Sequence, residues 1–324
     1  MDTAVRTWAL AFFSTLCVTA HGAEQTGKYP TKPIRLIVPF APGGGTDIVA
    51  RTIAQKMSDT LTQPVVVDNR PGAGSTVGTE IAVRANPDGY TLINVSGSYA
   101  TSAAIYKLNY HPVNDIEPIA VIGESAFVVA LHPSVPAKTI PELVNLAKAK
   151  PGALNYGSTG TGGITHLASE LFDLLAGTRT THVPYKGTGP SLTALLGNQI
   201  ELMFAAMPPT IPHVKAGRLR GLAVTSEKPQ AALPGIPTVG ETLKGYDVVL
   251  WWGIFGPKGL PKSIVGTWNK GIEQILKTKE MQERMAGEGI DPLGGPPERF
   301  SAAIKRDVEK WQKVVKQAKL TVQP

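Results

Sequence analysis

Two glycine-rich stretches are where this chain can do chemistry. The first is Pro39-Phe40-Ala41-Pro42-Gly43-Gly44-Gly45-Thr46-Asp47, and the second is Tyr156-Gly157-Ser158-Thr159-Gly160-Thr161-Gly162-Gly163. Each follows a short apolar run and precedes an amphipathic one, so each is predicted to turn a strand into a helix. Lacking a Cβ, glycine lets backbone amides approach a solute closely. The helix behind adds unpaired first-turn N–H groups and the positive end of its dipole. That combination captures an anion through the main chain. The dipole supplies about 0.3–1 kcal/mol, up to ~2 kcal/mol when partly buried. Each hydrogen bond to a charged group adds ~1.5–3 kcal/mol. A micromolar ligand needs about −8 kcal/mol, more than one turn provides. Two turns, one per half of the chain, can face each other across a cleft at the carboxyl ends of strands.

Other segments can reach such a cleft. Ser96-Gly97-Ser98-Tyr99 follows a third apolar run and offers hydroxyls at a strand's end, and His182-Val183-Pro184-Tyr185-Lys186-Gly187 follows a fourth. Trp251 and Trp252 are adjacent, so in a strand they point opposite ways and at least one is expected in the core. His166 falls in the first turn of the helix after the second loop, either bracing that loop or touching a solute. Asp47 fits three roles: a catalytic acid, a partner for a substrate amine, or a helix cap, with Thr46 the other cap candidate. Its position at a helix start favours the cap.

Motifs for other chemistry fail. Neither loop ends in the Lys-Ser/Thr of a phosphate loop, and Thr165 stands where a dinucleotide fingerprint needs its third small residue. Gly189-Pro190-Ser191-Leu192-Thr193 ends in Thr where a nucleophile elbow needs Gly. The histidines at 21, 111, 132, 166, 182 and 213 form no metal-binding pair by spacing. No metal and no cofactor are expected.

The elements that position these loops alternate in character. Ile34–Phe40, Val65–Val67 and Tyr90–Val95 read as strands, the last entered through the turn Asn86-Pro87-Asp88-Gly89. Val49, Ile53, Met57 and Leu61 share one helix face. In the middle third, Leu154–Gly157, Thr181–Tyr185, Ile200–Ala205 and Leu219–Thr225 read as strands. Ile164, Leu167, Ala168, Leu171 and Leu175 read as a core-facing helical stripe. A final helix over Glu298–Ala318 carries Phe300, Ile304, Val308, Trp311 and Val315 on one side, with Pro296 and Pro297 at its start. This is the pattern of an α/β fold with parallel strands. Ile119–Ile122 and Phe127–Leu131 flank a break at Gly123-Glu124-Ser125, and Trp251–Phe255 reads as a return. Crossings at about 123–126 and 249–252 make two lobes joined by a two-strand hinge. Lobe 1 is 24–124 plus 252–324, and lobe 2 is 125–251.

With 324 residues, 42% of them hydrophobic and 18% charged, the chain has enough apolar material for about two domains and is no disordered polypeptide. Its single cysteine excludes a disulfide framework. The net charge of +7 comes from scattered lysines and arginines with no basic stripe, so nucleic acid is not an expected partner, while a mild positive field suits small anions. Arg6 followed by the apolar run Trp8–Ala20 reads as a secretory signal peptide over 1–23, too short for a stable membrane span.

Longer segments carry a resemblance. KPIRLIVPFAPGGGTDIVAR, DNRPGAGSTVGTE, NPDGYTL, LNYGSTGTGGITHLASELF, THVPYKGTGPSLTALLGNQIELMF, AGRLRGLAVTS and LPGIPTVGE run in order from about Tyr29 to the C-terminus. Together they resemble the Bug family of periplasmic solute-binding proteins, receptors of tripartite tricarboxylate transporters. The resemblance implies a type II periplasmic binding fold and a small carboxylate ligand gripped between two loops. Carried over, the ligand contacts are Phe40, Pro42, Gly43, Gly44, Gly45, Thr46 and Asp47 in the first loop. In the second they are Ser158, Thr159, Gly160, Thr161 and Gly162, and Ser96 joins them from the residue reading. Ala194 departs from the family's frequent Asp. The expected protein is a periplasmic monomer that binds an organic acid and closes. Membrane permease subunits are its expected partner. Two other roles on this scaffold are a ligand-sensing domain for a membrane sensor kinase, and an enzyme acting on a carboxylate.

Overall fold

A computed structural model describes residues 29–317, and the expected signal peptide, 1–23, lies outside them. Strand and helix alternate as β1 (Ile34–Val38), α1 (Gly45–Leu61), β2 (Val65–Asn69), α2 (Thr76–Val83), β3 (Thr91–Ser96), α3 (Ser98–Ile105) and a long β4 (Ile116–Leu131). Then come α4 (Ile140–Ala149), β5 (Asn155–Ser158), α5 (Ile164–Ala176), β6 (Thr181–Pro184), α6 (Thr188–Leu196), β7 (Leu202–Ala206), α7 (Met207–Lys215), β8 (Arg220–Val224) and α8 (Val239–Thr242). The chain continues through β9 (Val249–Pro257), α9 (Lys262–Lys277), α10 (Lys279–Gly287), a short β10 (Asp291–Pro292) and α11 (Pro297–Gln317).

The strands form a mixed α/β structure of two lobes. In one, the order is β2-β1-β3-β9-β4, with β10 on β4; in the other it is β4-β7-β5-β6, with β8 also on β4. The parallel pairing read from the sequence holds for β2-β1-β3 and β7-β5-β6. It does not hold at the centre, where β9 runs antiparallel to β3 and β4, and β4 antiparallel to β7. The reason is connectivity: β4 carries the chain out of one lobe and β9 carries it back, so the two lie side by side in opposite directions.

The expected break at Gly123-Glu124-Ser125 is absent. β4 runs through it as one strand, with the register against β9 slipping at Val121/Gly123, and its partner changes from β9 over Ile116 to Ala126 to β7 over Phe127 to Leu131. Glycine at 123 serves close packing: a Cβ there would sit 2.8 Å from the Asp291 carbonyl oxygen of β10. Ser125 Oγ donates to the Gly289 carbonyl at 2.5 Å, so the polar residue within the apolar run is satisfied by the segment crossing it.

Helical stripes supply the core. Val49, Ile53, Met57 and Leu61 of α1 are all buried, as are Phe300, Ile304, Val308 and Trp311 of α11, while Val315 is half-buried. The α5 stripe is right only in its first turns. Ile164, Leu167 and Ala168 are buried, but Leu171 is half-buried and Leu175 is 42% exposed. The end of α5 turns instead toward the Thr178–Thr180 segment, where Asp173 accepts from Thr178 Oγ1 and from the backbone N–H and Oγ1 of Thr180. Phe172 and Ala176 then take the core positions.

The central pair is pinned from outside by α11. Gly253 of β9 lies directly beneath the Phe300 ring, with no room for a Cβ. Gly253→Ala is therefore expected to cost about 1–3 kcal/mol of stability through overpacking, read as a lower urea midpoint at unchanged m-value.

Candidate ligand-binding site

Five strands of the two lobes end at one place. Helices α1, α3, α5, α6 and α7 start just beyond β1, β3, β5, β6 and β7, and residues at each of their N-termini line a single small cavity. The N-cap positions are Gly44, Gly97, Gly163, Gly187 and Ala206, and none makes a side-chain cap bond. Glycine and alanine carry no capping oxygen, so first-turn amides stay available to something else, except that the Ile164 amide of α5 bonds Ser98 Oγ and that Pro190 of α6 and Pro208 and Pro209 of α7 have no N–H to offer. The expected cap at Thr46 or Asp47 is thus corrected, because α1 begins earlier, at Gly45.

Gly44, Gly45 and Thr46 contribute from α1, Ser96 and Ser98 from the β3–α3 junction, and Thr159, Ile164 and Thr165 from the β5–α5 junction. Thr188 contributes from α6 and Ala206 from the start of α7, while Phe40, Phe127 and Leu250 complete the wall. No lining residue is charged. Hydroxyls and amide dipoles are therefore the polar surface that a solute meets. The cavity measures about 20 Å³. That is room for about one water, against the roughly 300–1,000 Å³ of an open small-molecule pocket. The lobes are shut on it. A broader trough of about 620 Å³ lies elsewhere, between the segment after α3 and α11, but these helix starts do not line it apart from the far end of α3.

Of the expected contacts, Phe40, Gly44, Gly45, Thr46, Ser96 and Thr159 line the cavity; Pro42, Gly43, Asp47, Ser158, Gly160, Thr161 and Gly162 do not. The reason is that the two glycine loops meet the opposite lobe crosswise rather than each other. The first loop abuts the turn into α6: the Ala41 amide donates to the Lys186 carbonyl at 2.8 Å, and a Cβ on Gly44 would lie 3.3 Å from Thr188 Cβ. Pro42 and Gly43 press on Gly189. The second loop abuts the Gly72–Ser75 turn and α3. Tyr106 donates its hydroxyl to the Thr161 carbonyl at 2.9 Å, and the Ile164 amide donates to Ser98 Oγ at 3.2 Å.

Asp47 braces the first loop. Its Oδ2 accepts from the Gly43 amide at 3.0 Å and Arg51 Nε at 2.9 Å, and its Oδ1 accepts from Asn69 Nδ2 at 2.9 Å. Burial alone would raise its pKa, but the bonds from Arg51, Gly43 and Asn69 outweigh it and hold the carboxylate below its usual value. Both tryptophans are buried. Trp251 Nε1 donates to Asp307 at 2.6 Å, while Trp252 lies under Gly45 and its Nε1 donates to Thr46 Oγ1 at 3.3 Å.

Behind the second loop, His166 braces it, its Nδ1 accepting the Gly162 amide at 3.2 Å, and it does not line the cavity. His182 Nε2 meets Ser158 Oγ at 2.6 Å, and Ser158 Oγ also accepts the Gly160 amide at 3.1 Å. Burial lowers the pKa of His166 to about 4 and, with the neighbouring His166, that of His182 to about 3. Ser98, from the segment expected to reach the cleft, also lines it; the lining residues that sequence reasoning missed are Ile164, Thr165, Thr188, Ala206, Phe127 and Leu250. A signal existed for two of them: Gly187-Thr188-Gly189-Pro190 and Ala206-Met207-Pro208-Pro209 are also strand-to-helix junctions, with proline near the helix start.

Comparison with known proteins agrees with this architecture. Residues 49–320 match the model of the tripartite tricarboxylate transporter family receptor. The protein BugT of Bordetella pertussis is 33% identical over 94% of this chain and 94% of its own length. Among solved structures, the periplasmic binding protein BugD superposes with a TM-score of 0.88 at 35% identity, covering 91% of this chain and all of BugD. An R. palustris protein solved with adipate gives a TM-score of 0.88 at 31% identity, covering 90% of this chain and 99% of its own. The chain belongs to this receptor family, whose fold is that of the two-lobed periplasmic binding proteins.

The brace at Asp47 is testable. Asp47→Ala leaves the Gly43 amide without an acceptor and Asn69 Nδ2 with only the Phe40 carbonyl, so stability should fall by about 1–3 kcal/mol in urea unfolding at pH 7. Because the folded pKa is lowered, the wild-type contribution is present above the unfolded value of 3.8 and disappears as pH falls through the folded one. The variant and wild type should therefore converge in acid.

Proposed function

We propose that this chain is an exported receptor that closes on one small organic carboxylate and delivers it to a membrane permease of the tripartite tricarboxylate type. One observation carries the reading: helix starts from both lobes converge on one cavity with no charged wall and offer it hydroxyls and, from α1, α3 and α6 above all, first-turn amides without a side-chain cap. A negative solute there is held by oriented amides and hydroxyls. The family relationship supports the same reading, and so does the adipate bound to the R. palustris relative.

The moving bodies in this reading are 24–124 with 252–324, and 125–251, flexing where β4 and β9 cross. Contacts such as Ala41 with Lys186 and Ser98 with Ile164 form only when the cleft shuts. A solute touching both lobes therefore favours the closed state. The solute leaves unchanged, since no titratable side chain lines the cavity to move a proton on or off it. The residues 1–23 act as the export signal, and the ligand contacts are the cavity-lining members of the two loops with their helix-start neighbours.

The experiment is calorimetry of the mature protein against a panel of mono-, di- and tricarboxylates that includes adipate and malate, with thermal unfolding alongside. A ligand at 100 times its Kd adds ~2.7 kcal/mol and should raise Tm by about 5 °C or more. Absence of any carboxylate binding across the panel sinks the reading. Gly44→Leu places a side chain against Thr188 on the opposite lobe. It should abolish binding while leaving the unliganded Tm within about 2 °C, a surface-like effect of under ~0.5 kcal/mol.

A further inference from the structure

Beneath the second loop lies a cluster that the binding site itself does not use. His166 in the first turn of α5 and His182 on β6 stack with ring centroids 4.1 Å apart and planes 17° apart. The ring of Tyr156 on β5 flanks them, 5.0 Å from His182 and 6.5 Å from His166. Each imidazole turns one nitrogen to the loop. His166 Nδ1 accepts the Gly162 amide, and His182 Nε2 holds Ser158 Oγ, which itself holds the Gly160 amide. These two rings hold the Gly160 and Gly162 ends of the turn, alongside Thr165 Oγ1 on the Thr159 amide and the Tyr106 hydroxyl on the Thr161 carbonyl.

We propose that His166 and His182 are positioning residues forming an acid-sensitive catch. In their neutral forms they brace the second glycine loop, and a proton taken up at His166 Nδ1 releases its Gly162 corner, whereas the Ser158 hydroxyl can accept from a protonated His182 Nε2 as readily as donate to a neutral one.

The geometry dictates the sign. A neutral imidazole has one donor and one acceptor nitrogen. Nδ1 of His166 accepts from Gly162, so its proton sits on Nε2, which faces Glu170 Oε1 at 3.8 Å. A second proton must go to Nδ1, setting N–H against N–H and expelling the Gly162 amide. At 4.1 Å, a charge on one ring also opposes a charge on the other.

The groups facing the pair do not offset this. From α5 come Glu170 and Asp173, from β5 Tyr156, and from α3 across the cleft Tyr106, which packs on Gly162. Glu170 Oε1 accepts the Tyr156 hydroxyl at 2.6 Å but stands 3.8 Å from His166 Nε2, beyond hydrogen-bond reach, and burial raises the pKa of Glu170. Both histidines are held below their ordinary 6.5 by burial, so the loop-fixed state binds fewer protons than the released one. The catch is therefore fully engaged above pH 6.5 and weakens as pH falls from there toward 4. Because Thr159 of this loop lines the cavity, acid should loosen the grip on a solute.

Amide hydrogen exchange of the mature protein by NMR, corrected for intrinsic exchange chemistry, tests the catch without any ligand. It therefore stands or falls separately from the receptor reading. The protection of the Gly162 amide should drop up to about tenfold for each pH unit between 6.5 and 4.5. The double variant His166→Asn with His182→Gln keeps an acceptor near each nitrogen position but takes up no proton. It should match wild-type protection at pH 7 and stay within about threefold down to pH 4.5, once corrected. Wild-type protection that is flat with pH, or a variant that falls in step with wild type, overturns the proposal. Should the variant fail to fold, the wild-type imidazole resonances decide: titration of both rings near 6.5 overturns it, and both remaining neutral to below pH 5 supports it.

Discussion

The proposed receptor has to surround a negative charge with no positive side chain, since none lines its cavity. A buried carboxylate loses its water and must be hydrogen-bonded in return. Lysine and arginine would supply charge, but they also bind one another's counterions and favour any anion of adequate charge. Helix N-termini supply instead a small number of N–H groups fixed in direction by the backbone. Five helices start at this cavity on glycine or alanine caps, and those of α1, α3 and α6 leave first-turn amides without a side-chain cap. Asp47, the nearest acid to the first loop, is tied to Arg51 and Asn69, so it shapes the loop without presenting its charge to the cavity.

That arrangement explains the architecture around it. Helix starts can converge only if strands from both lobes end at the same cleft. β4 and β9 keep the two lobes in register while leaving the crossing narrow. Closure then depends on close approach of backbone to backbone. Gly44 against Thr188, and Gly74 against the second loop, occupy spaces that larger side chains would hold open. The bonds across the cleft run mainly from main-chain groups to main-chain groups or hydroxyls. Such contacts are individually weak and mutually dependent, which suits a lid that must both shut and reopen.

Bracing the loops is the second demand. A glycine-rich turn has little conformational preference of its own, so its shape must come from neighbours. The first loop is braced by a carboxylate, which draws the Gly43 amide inward. The second is braced by two neutral imidazoles and a serine. An acceptor that is anionic throughout the working pH range and an acceptor that can be protonated do the same mechanical task, but only the latter ties the loop to acidity.

Much was legible in the chain itself. The strands, the α1 and α11 stripes, the two glycine loops and the α/β class follow from local periodicity and from glycine's chemistry, which neighbours far along the chain barely alter. The unbroken β4 was not legible, because Gly123 reads as a break until β10 is laid across it. The exposed Leu175 was not, because the end of α5 follows Asp173 and its threonine partners rather than its own apolar spacing. Nor was the split among the expected contacts, with Thr159 in the cavity and Thr161 and Gly162 outside it. Sequence alone determined that amides would be presented at strand ends, since that is a property of each loop and the helix behind it. Only the tertiary structure decided which amides share a cavity and which loop meets which, because that depends on how two sheets cross and close, a geometry no single segment contains.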